Sequence, residues 1–227
     1  MGRERYYTLM ASLPALEPPF EEERPPMSRI RLEQRLRMLE PDDARELSAL
    51  ESVMHFDRLD LGAKDVEILE RASQVVASIR SPLLREVAEW RLGLRTVIAA
   101  LRRRAVGEPA PDRREPWGFE PRKRALERGW NRRDFGLSGA LPWVETLADL
   151  LDRGDARGLE RQLLRLVWRY LSRKAWGHHF DFEAVALYVL RWNLLQRASN
   201  RDPAEARSRF DSMRAEGWGG RTLRFEV

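Results

Sequence analysis

The sequence predicts an all-α fold, with two helical-bundle halves joined by a long Pro/Gly/Arg-rich connector and a small β pairing of the terminal segments. Three observations carry that expectation. Val, Ile and Thr together number only 20 of 227 residues, which is poor material for a large sheet. Leu, Ala, Arg and Glu dominate, and all four are good helix formers. Apolar residues recur at helical spacing behind capping residues along most of the chain.

Taken in order, residues 6–13 read as a short strand. Pro18, Pro19, Pro25 and Pro26 make residues 14–27 irregular and extended. Ser28 caps a helix that starts near Arg29 and carries Ile30, Leu32, Leu36 and Leu39. Pro41-Asp42-Asp43 starts the next, with Leu47, Leu50 and Val53/Met54 on one face. Residues 57–62 read as a turn before a third helix bearing Val66, Leu69, Val75/Val76 and Ile79. Ser81-Pro82 is a strong start, since serine accepts a free N–H and proline fits the first turn. That helix runs to Arg102-Arg103-Arg104, whose cations suit a helix C-terminus. It closes the N-terminal half, residues 1–106.

Residues 107–142 form the connector. They hold five prolines and five glycines, with Trp117, Phe119, Trp130 and Phe135 spread among arginines and a short helix expected over 121–128. So long a segment must either pack by its aromatics or be mobile. The C-terminal half, residues 143–227, opens with a helix through Trp143, Leu147, Leu150 and Leu151 that ends at Gly154. Residues 157–175 are the clearest amphipathic stretch, with Leu159, Leu163, Leu166/Val167 and Tyr170/Leu171. Asp181 caps a helix through Val185, Val189, Leu190 and Leu194. Another helix is expected near 203–216. Residues 222–227 alternate like a small strand, a candidate to pair with residues 6–13.

Composition excludes several chemistries. Cysteine is absent, so disulfides, thiolate metal sites and cysteine nucleophiles are out. His55, His178 and His179 are the three histidines. His178-His179 precedes Asp181 and Glu183, but adjacent residues rarely converge on one metal, and a loop or capping role is the expectation. No apolar run approaches the roughly 20 residues of a membrane span. The first residues are too short and mixed an apolar stretch for a signal peptide, and a cytoplasmic protein is expected.

Neither a phosphate-binding glycine loop nor a GxSxG elbow occurs. The run Gly217-Trp218-Gly219-Gly220 lacks a following helix and reads as a tail. Carboxylate pairs such as Glu86/Glu89 and Asp149/Asp152 read as surface charge. No enzyme constellation emerges, and no cofactor or metal is expected.

The net charge is a modest +5, and 38 of the 41 basic residues are arginines. Residues 102–133 hold 11 basic and 5 acidic side chains with interleaved aromatics. Arginines contact phosphates and aromatics stack on bases, so this is the best nucleic-acid signal. The aromatics equally suit an anchor for the connector. Arg91 and Arg95 lie one turn apart in an apolar helix, and Arg191 and Arg197 flank Trp192-Asn193-Leu194-Leu195. Snorkelling at a helix edge is the default reading. The alternative is structural ion pairing or a partner surface.

Two stretches carry a resemblance. Tyr6-Tyr7-Thr8-Leu9-Met10-Ala11-Ser12-Leu13-Pro14, with its proline-rich sequel, resembles an uncharacterised bacterial family encoded beside the subunits of V-type ATPases. The stretch from Phe180-Asp181-Phe182-Glu183 to Leu194-Leu195 is similar to the same family. More distantly, the helix around Arg91-Leu92-Gly93-Leu94-Arg95 and that around Arg191-Trp192-Asn193 resemble helices of the all-helical stalk subunit of those ATPases, called C or d. Gly93 stands where that family's pattern has asparagine, and the two helices suggest a degenerate repeat.

The resemblance implies a non-catalytic stalk or socket protein linking the rotor ring and central shaft, cytoplasmic and peripheral to the inner membrane through the ATPase. Its partners would be those subunits, with Arg91, Arg95, Arg191, Trp192, Asn193 and Arg197 as the partner-binding residues. Two alternatives stand beside it: an ATPase assembly factor, and a helical nucleic-acid-binding protein using residues 102–133.

Overall fold

A computed structural model describes residues 5–18, 25–54, 65–112, 116–120 and 122–199, with residues 65–67 by their backbone alone. Among them are nine helices and no strand, so the fold is all-α. No helix among the described residues is long and apolar enough to cross a membrane. The expected helix near 203–216, the strand over 222–227, the glycine run at 217–220, the turn at 57–62 and His55 lie outside the described residues.

The first element corrects the expected strand. Residues Tyr7–Ala11 form a short helix, α1. Tyr6 and Leu9 are both buried, and a spacing of three puts them on one face of a helix but on opposite faces of a strand. Tertiary contacts fix this choice. The Tyr6 N–H donates to the Phe180 carbonyl at 2.8 Å, and its hydroxyl donates to Asp43 Oδ2 at 2.6 Å.

Helix α2 (Arg29–Leu36) is capped by Ser28 Oγ, which accepts the Arg31 N–H. Helix α3 (Pro41–Met54) carries Asp42 and Asp43 in its first turn, where they suit the positive end of the dipole. Helix α4 (Asp65–Ser78) leads to α5 (Pro82–Ala105), which is capped by Ser81 and ends in Arg102, Arg103 and Arg104. Every residue of α5 from Arg91 to Leu101 is buried, so α5 is the central helix of the fold.

The connector is packed by its aromatics. Trp117, Trp130 and Phe135 are buried, and the Trp117 and Trp130 rings meet edge to face at 6.1 Å. Between them, α6 (Arg122–Gly129) lies against α5, where Gly93 leaves room for the aliphatic stem of Arg122. After α6 the chain turns through Phe135 at φ 53 and Gly136 at φ 71. Asp134 holds this turn. Hydrogen bonds from the Ser138 side chain and from the Gly136 and Ser138 N–H groups keep its carboxyl down at about 2.

A Cβ at Gly129 would run into the Phe135 carbonyl. Gly129→Ala therefore tests the turn. In an open helix, alanine would stabilise by about 1 kcal/mol. Here the expected result is the opposite sign, a loss of about 1–3 kcal/mol by urea unfolding, because backbone must move.

Helix α7 (Trp143–Asp152) follows, then α8 (Ala156–Ala175), capped by Asp155 through the Gly158 N–H at 2.8 Å. Helix α9 (Phe182–Ser199) is capped by Asp181, which accepts the Ala184 N–H at 2.9 Å. The main buried cluster draws on α1, α3–α9 and the connector, so residues before 107 and after 142 share it. A smaller cluster of Met27, Leu32, Tyr188 and Trp192 fastens α2 to α9.

Candidate functional site

The six residues singled out from the sequence occupy three settings. Arg91, Asn193 and Arg197 line one groove, with Met54, Glu160, Leu163, Leu164, Val167, Leu190 and Leu194. The groove lies where the end of α3 meets α5, α8 and α9. Arg95 is buried beside it, and its Nη2 donates to the Met54 carbonyl at 3.1 Å. That carbonyl belongs to the last residue of α3, where helix geometry leaves acceptors unfilled and favours a cation. Arg91 and Arg95 are only 5% and 4% exposed, so burial replaces the snorkelling expected by default.

Trp192 is also buried. Its Nε1–H donates to the Met27 carbonyl at 3.1 Å, and the Arg29 guanidinium lies over its ring at 5.8 Å. Asn193 donates from Nδ2 to Glu51 Oε1 at 2.8 Å and accepts from Arg29 Nη1 at 3.1 Å. Arg29 in turn reaches Glu51 at 3.1 Å. Trp192 and Asn193 thus tie α9 to α2 and α3. Arg191 sits apart from the groove, over the Trp168 ring at 5.9 Å, where burial pushes its pKa down.

The groove lining offers two guanidiniums, one carboxylate and one carboxamide over leucine and valine. It contains no hydroxyl, thiol, amine or imidazole. The ionisable groups of the lining are thus the two guanidiniums and the Glu160 carboxylate, the one group there of a type that can act as a general base.

His178, Asp181 and Glu183 place possible ligand atoms within 4.8 Å of one another. These groups already have work in the fold. His178 Nδ1 pairs with Asp181 Oδ2 at 2.6 Å, Asp181 Oδ1 caps α9, and Glu183 Oε1 accepts from Ser81 Oγ at 2.8 Å. The positive end of the α9 dipole also opposes a cation there.

The aromatic half of the nucleic-acid signal is not on the surface. Trp117 and Trp130 are buried, so neither presents a free face to a base, and Phe119 is half-buried against the main cluster. Several cations of the segment are engaged as well. Arg103 pairs with Glu108 at 2.7 Å, Arg124 with Glu120 at 3.1 Å, and Arg133 with Asp149 and Asp152. Arg104 lies over Phe135, and burial pushes its pKa down.

Sequence reading missed a polar clasp at the base of α5. Glu46, 6% exposed, accepts the N–H of Arg80 at 3.0 Å and of Ser81 at 2.8 Å, and also Arg80 Nε at 2.8 Å. Arg80 Nη2 reaches Asp43 at 2.9 Å, the same carboxylate that holds Tyr6. The signal was available: Glu46 shares the helical stripe of Leu50 and Val53, and a carboxylate on an apolar stripe requires partners.

Among the described residues, the fold and these sites define an all-helical body with one dominant core and a charged groove where the end of α3 meets α5, α8 and α9. No protein-family model matches the chain, and neither the curated proteins nor the solved structures hold a significant match to it.

Proposed function

We infer that the protein is a non-catalytic component of a bacterial V-type ATPase, a stalk or socket protein that bears on the rotor ring and the central shaft. The observation that supports this reading is the meeting of the two stretches that resemble the ATPase-associated family. They lie some 170 residues apart in sequence, yet Tyr6 donates to the Phe180 carbonyl, the Tyr7 and Phe180 rings meet at 4.7 Å, and the Tyr188 hydroxyl donates to the Pro14 carbonyl at 3.0 Å. The family-like residues therefore build one side of the molecule, the seam of α1 and α9. A helical body with charged and aromatic surfaces suits a coupling role.

The purified chain, mixed with detergent-solubilised rotor ring and central-shaft subunits, is expected to co-elute with them in size-exclusion chromatography. Separate elution at micromolar concentrations contradicts the reading. An assembly factor would have the same binding partners but leave the finished complex.

A further inference from the structure

Helix α8 carries the charge surplus of the chain. It holds six of the 41 basic residues and one of the 36 acidic ones, so the rest of the sequence balances at 35 of each. Five of its cations, Arg157, Arg161, Arg165, Arg169 and Arg173, recur every fourth residue, and these five are the exposed residues of the helix. A four-residue step rises about 6 Å and overshoots the 3.6-residue turn by about 40°. The row therefore runs about 24 Å and crosses the solvent face of α8 from one flank to the other. Exposed helices gain by mixing signs at this spacing, whereas like charges four apart repel. Four such pairs in succession work against the helix that carries them.

The carboxylates around the row have other work. Glu160, the acid of α8, lines the groove with Arg91 and Arg197. Asp155 accepts the Gly158 N–H, Asp149 and Asp152 of α7 pair with Arg133, and Glu86 of α5 pairs with Lys174. Asp149, Asp152 and Glu86 are thus held by cations outside the row. Glu145 on α7 and Glu89 on α5 are exposed on the neighbouring helices. On the α9 side Arg191, over the Trp168 ring, adds a further cation.

We propose that the solvent face of α8 rests on an anionic lipid surface, so that the chain meets the membrane directly. Clusters of about four to eight cations bind such surfaces, and five arginines on one face fall within that number. The helix is about 10 Å across, close to the Debye length of about 8 Å, and long arginine stems let the flanking cations reach back to one plane. A protein partner is the lesser fit, because interface cores are depleted of charge and no apolar residue of α8 is exposed. Nucleic acid fits less well too. A helix that enters the major groove must stand clear of its neighbours, and α8 packs against both α7 and α9. Single-strand binders stack bases on aromatic rings, and Trp168 and Tyr170, the aromatic residues of α8, are buried. The inference stands apart from the ATPase reading, which brings the chain to the membrane only through other subunits.

The test is flotation of the purified chain with vesicles of phosphatidylcholine, with and without about 30% phosphatidylglycerol. The expected result is binding to the anionic vesicles alone, weakening as salt rises. The triple variant Arg157→Gln, Arg161→Gln, Arg169→Gln should keep the wild-type unfolding midpoint and lose affinity about 100-fold, or about fivefold per cation. A control triple variant, Arg31→Gln, Arg37→Gln, Arg71→Gln, removes the same charge from exposed positions on other elements and should lose less than about fivefold. Equal binding to neutral vesicles, an equal loss in the control, or tighter binding to duplex DNA at matched phosphate concentration would overturn the proposal. Anionic-vesicle binding by a chain that ignores ATPase subunits would keep the lipid face and sink the ATPase reading. No vesicle binding by a chain that co-elutes with those subunits would do the reverse.

Discussion

Replacing Trp117 by alanine is expected to lower the unfolding free energy by about 3–5 kcal/mol, read from urea denaturation. Trp117 belongs to a segment so rich in Pro, Gly and Arg that it has the composition of a linker. In the fold its side chain is fully buried, its Nε1–H donates to Glu127 Oε1 at 3.1 Å, and its ring meets Trp130 edge to face. Alanine would leave a cavity beside α5 and take the indole N–H from Glu127 Oε1, leaving that oxygen Lys123 Nζ at 4.0 Å. The next backbone contact depends on the same placement, since the Phe119 N–H donates to Thr96 Oγ1 at 3.0 Å, in the centre of α5. A surface linker would lose no more than about 0.5 kcal/mol. A loss that small would mean that the connector is not part of the core.

Trp192→Ala is expected to cost a similar amount, about 3–5 kcal/mol, with a local signature as well. The ring fills the smaller cluster with Met27, Leu32 and Tyr188, and its N–H holds the Met27 carbonyl one residue before the α2 cap. Hydrogen exchange at the amides of α2 should accelerate before the rest of the chain opens. If stability stayed within about 0.5 kcal/mol while partner binding fell, Trp192 would be an interface residue rather than a core one.

Most helices were legible because their starts follow local chemistry. Ser28, Ser81 and Asp181 each sit before an apolar period and each accept an N–H three residues on, as short polar side chains do at a helix N-terminus. Helix α1 was not legible, because five residues hold too little periodicity. What selects it lies far along the chain, at Phe180 and Asp43. The fate of the connector was undecidable from composition, since a tryptophan among arginines reads alike as a stacking platform and as an anchor.

The site was half legible. Arg91 and Arg95 stood out as charges in an apolar helix, but spacing cannot separate a cation that snorkels from one that ends another helix, as Arg95 does at Met54. Arg91, Asn193 and Arg197 were each visible, but their convergence required the packing of α5 against α9. Glu160, the groove's carboxylate, looked like any other exposed acid on an amphipathic helix.

The most direct test of the ATPase assignment is a pull-down of the tagged chain from native membranes in gentle detergent, quantified by mass spectrometry. The account predicts recovery of rotor-ring and central-shaft subunits in a fixed ratio to the bait, in contrast to the small and variable amounts an assembly factor would bring. Recovery of nucleic acid, or of no ATPase subunit at all, would contradict it.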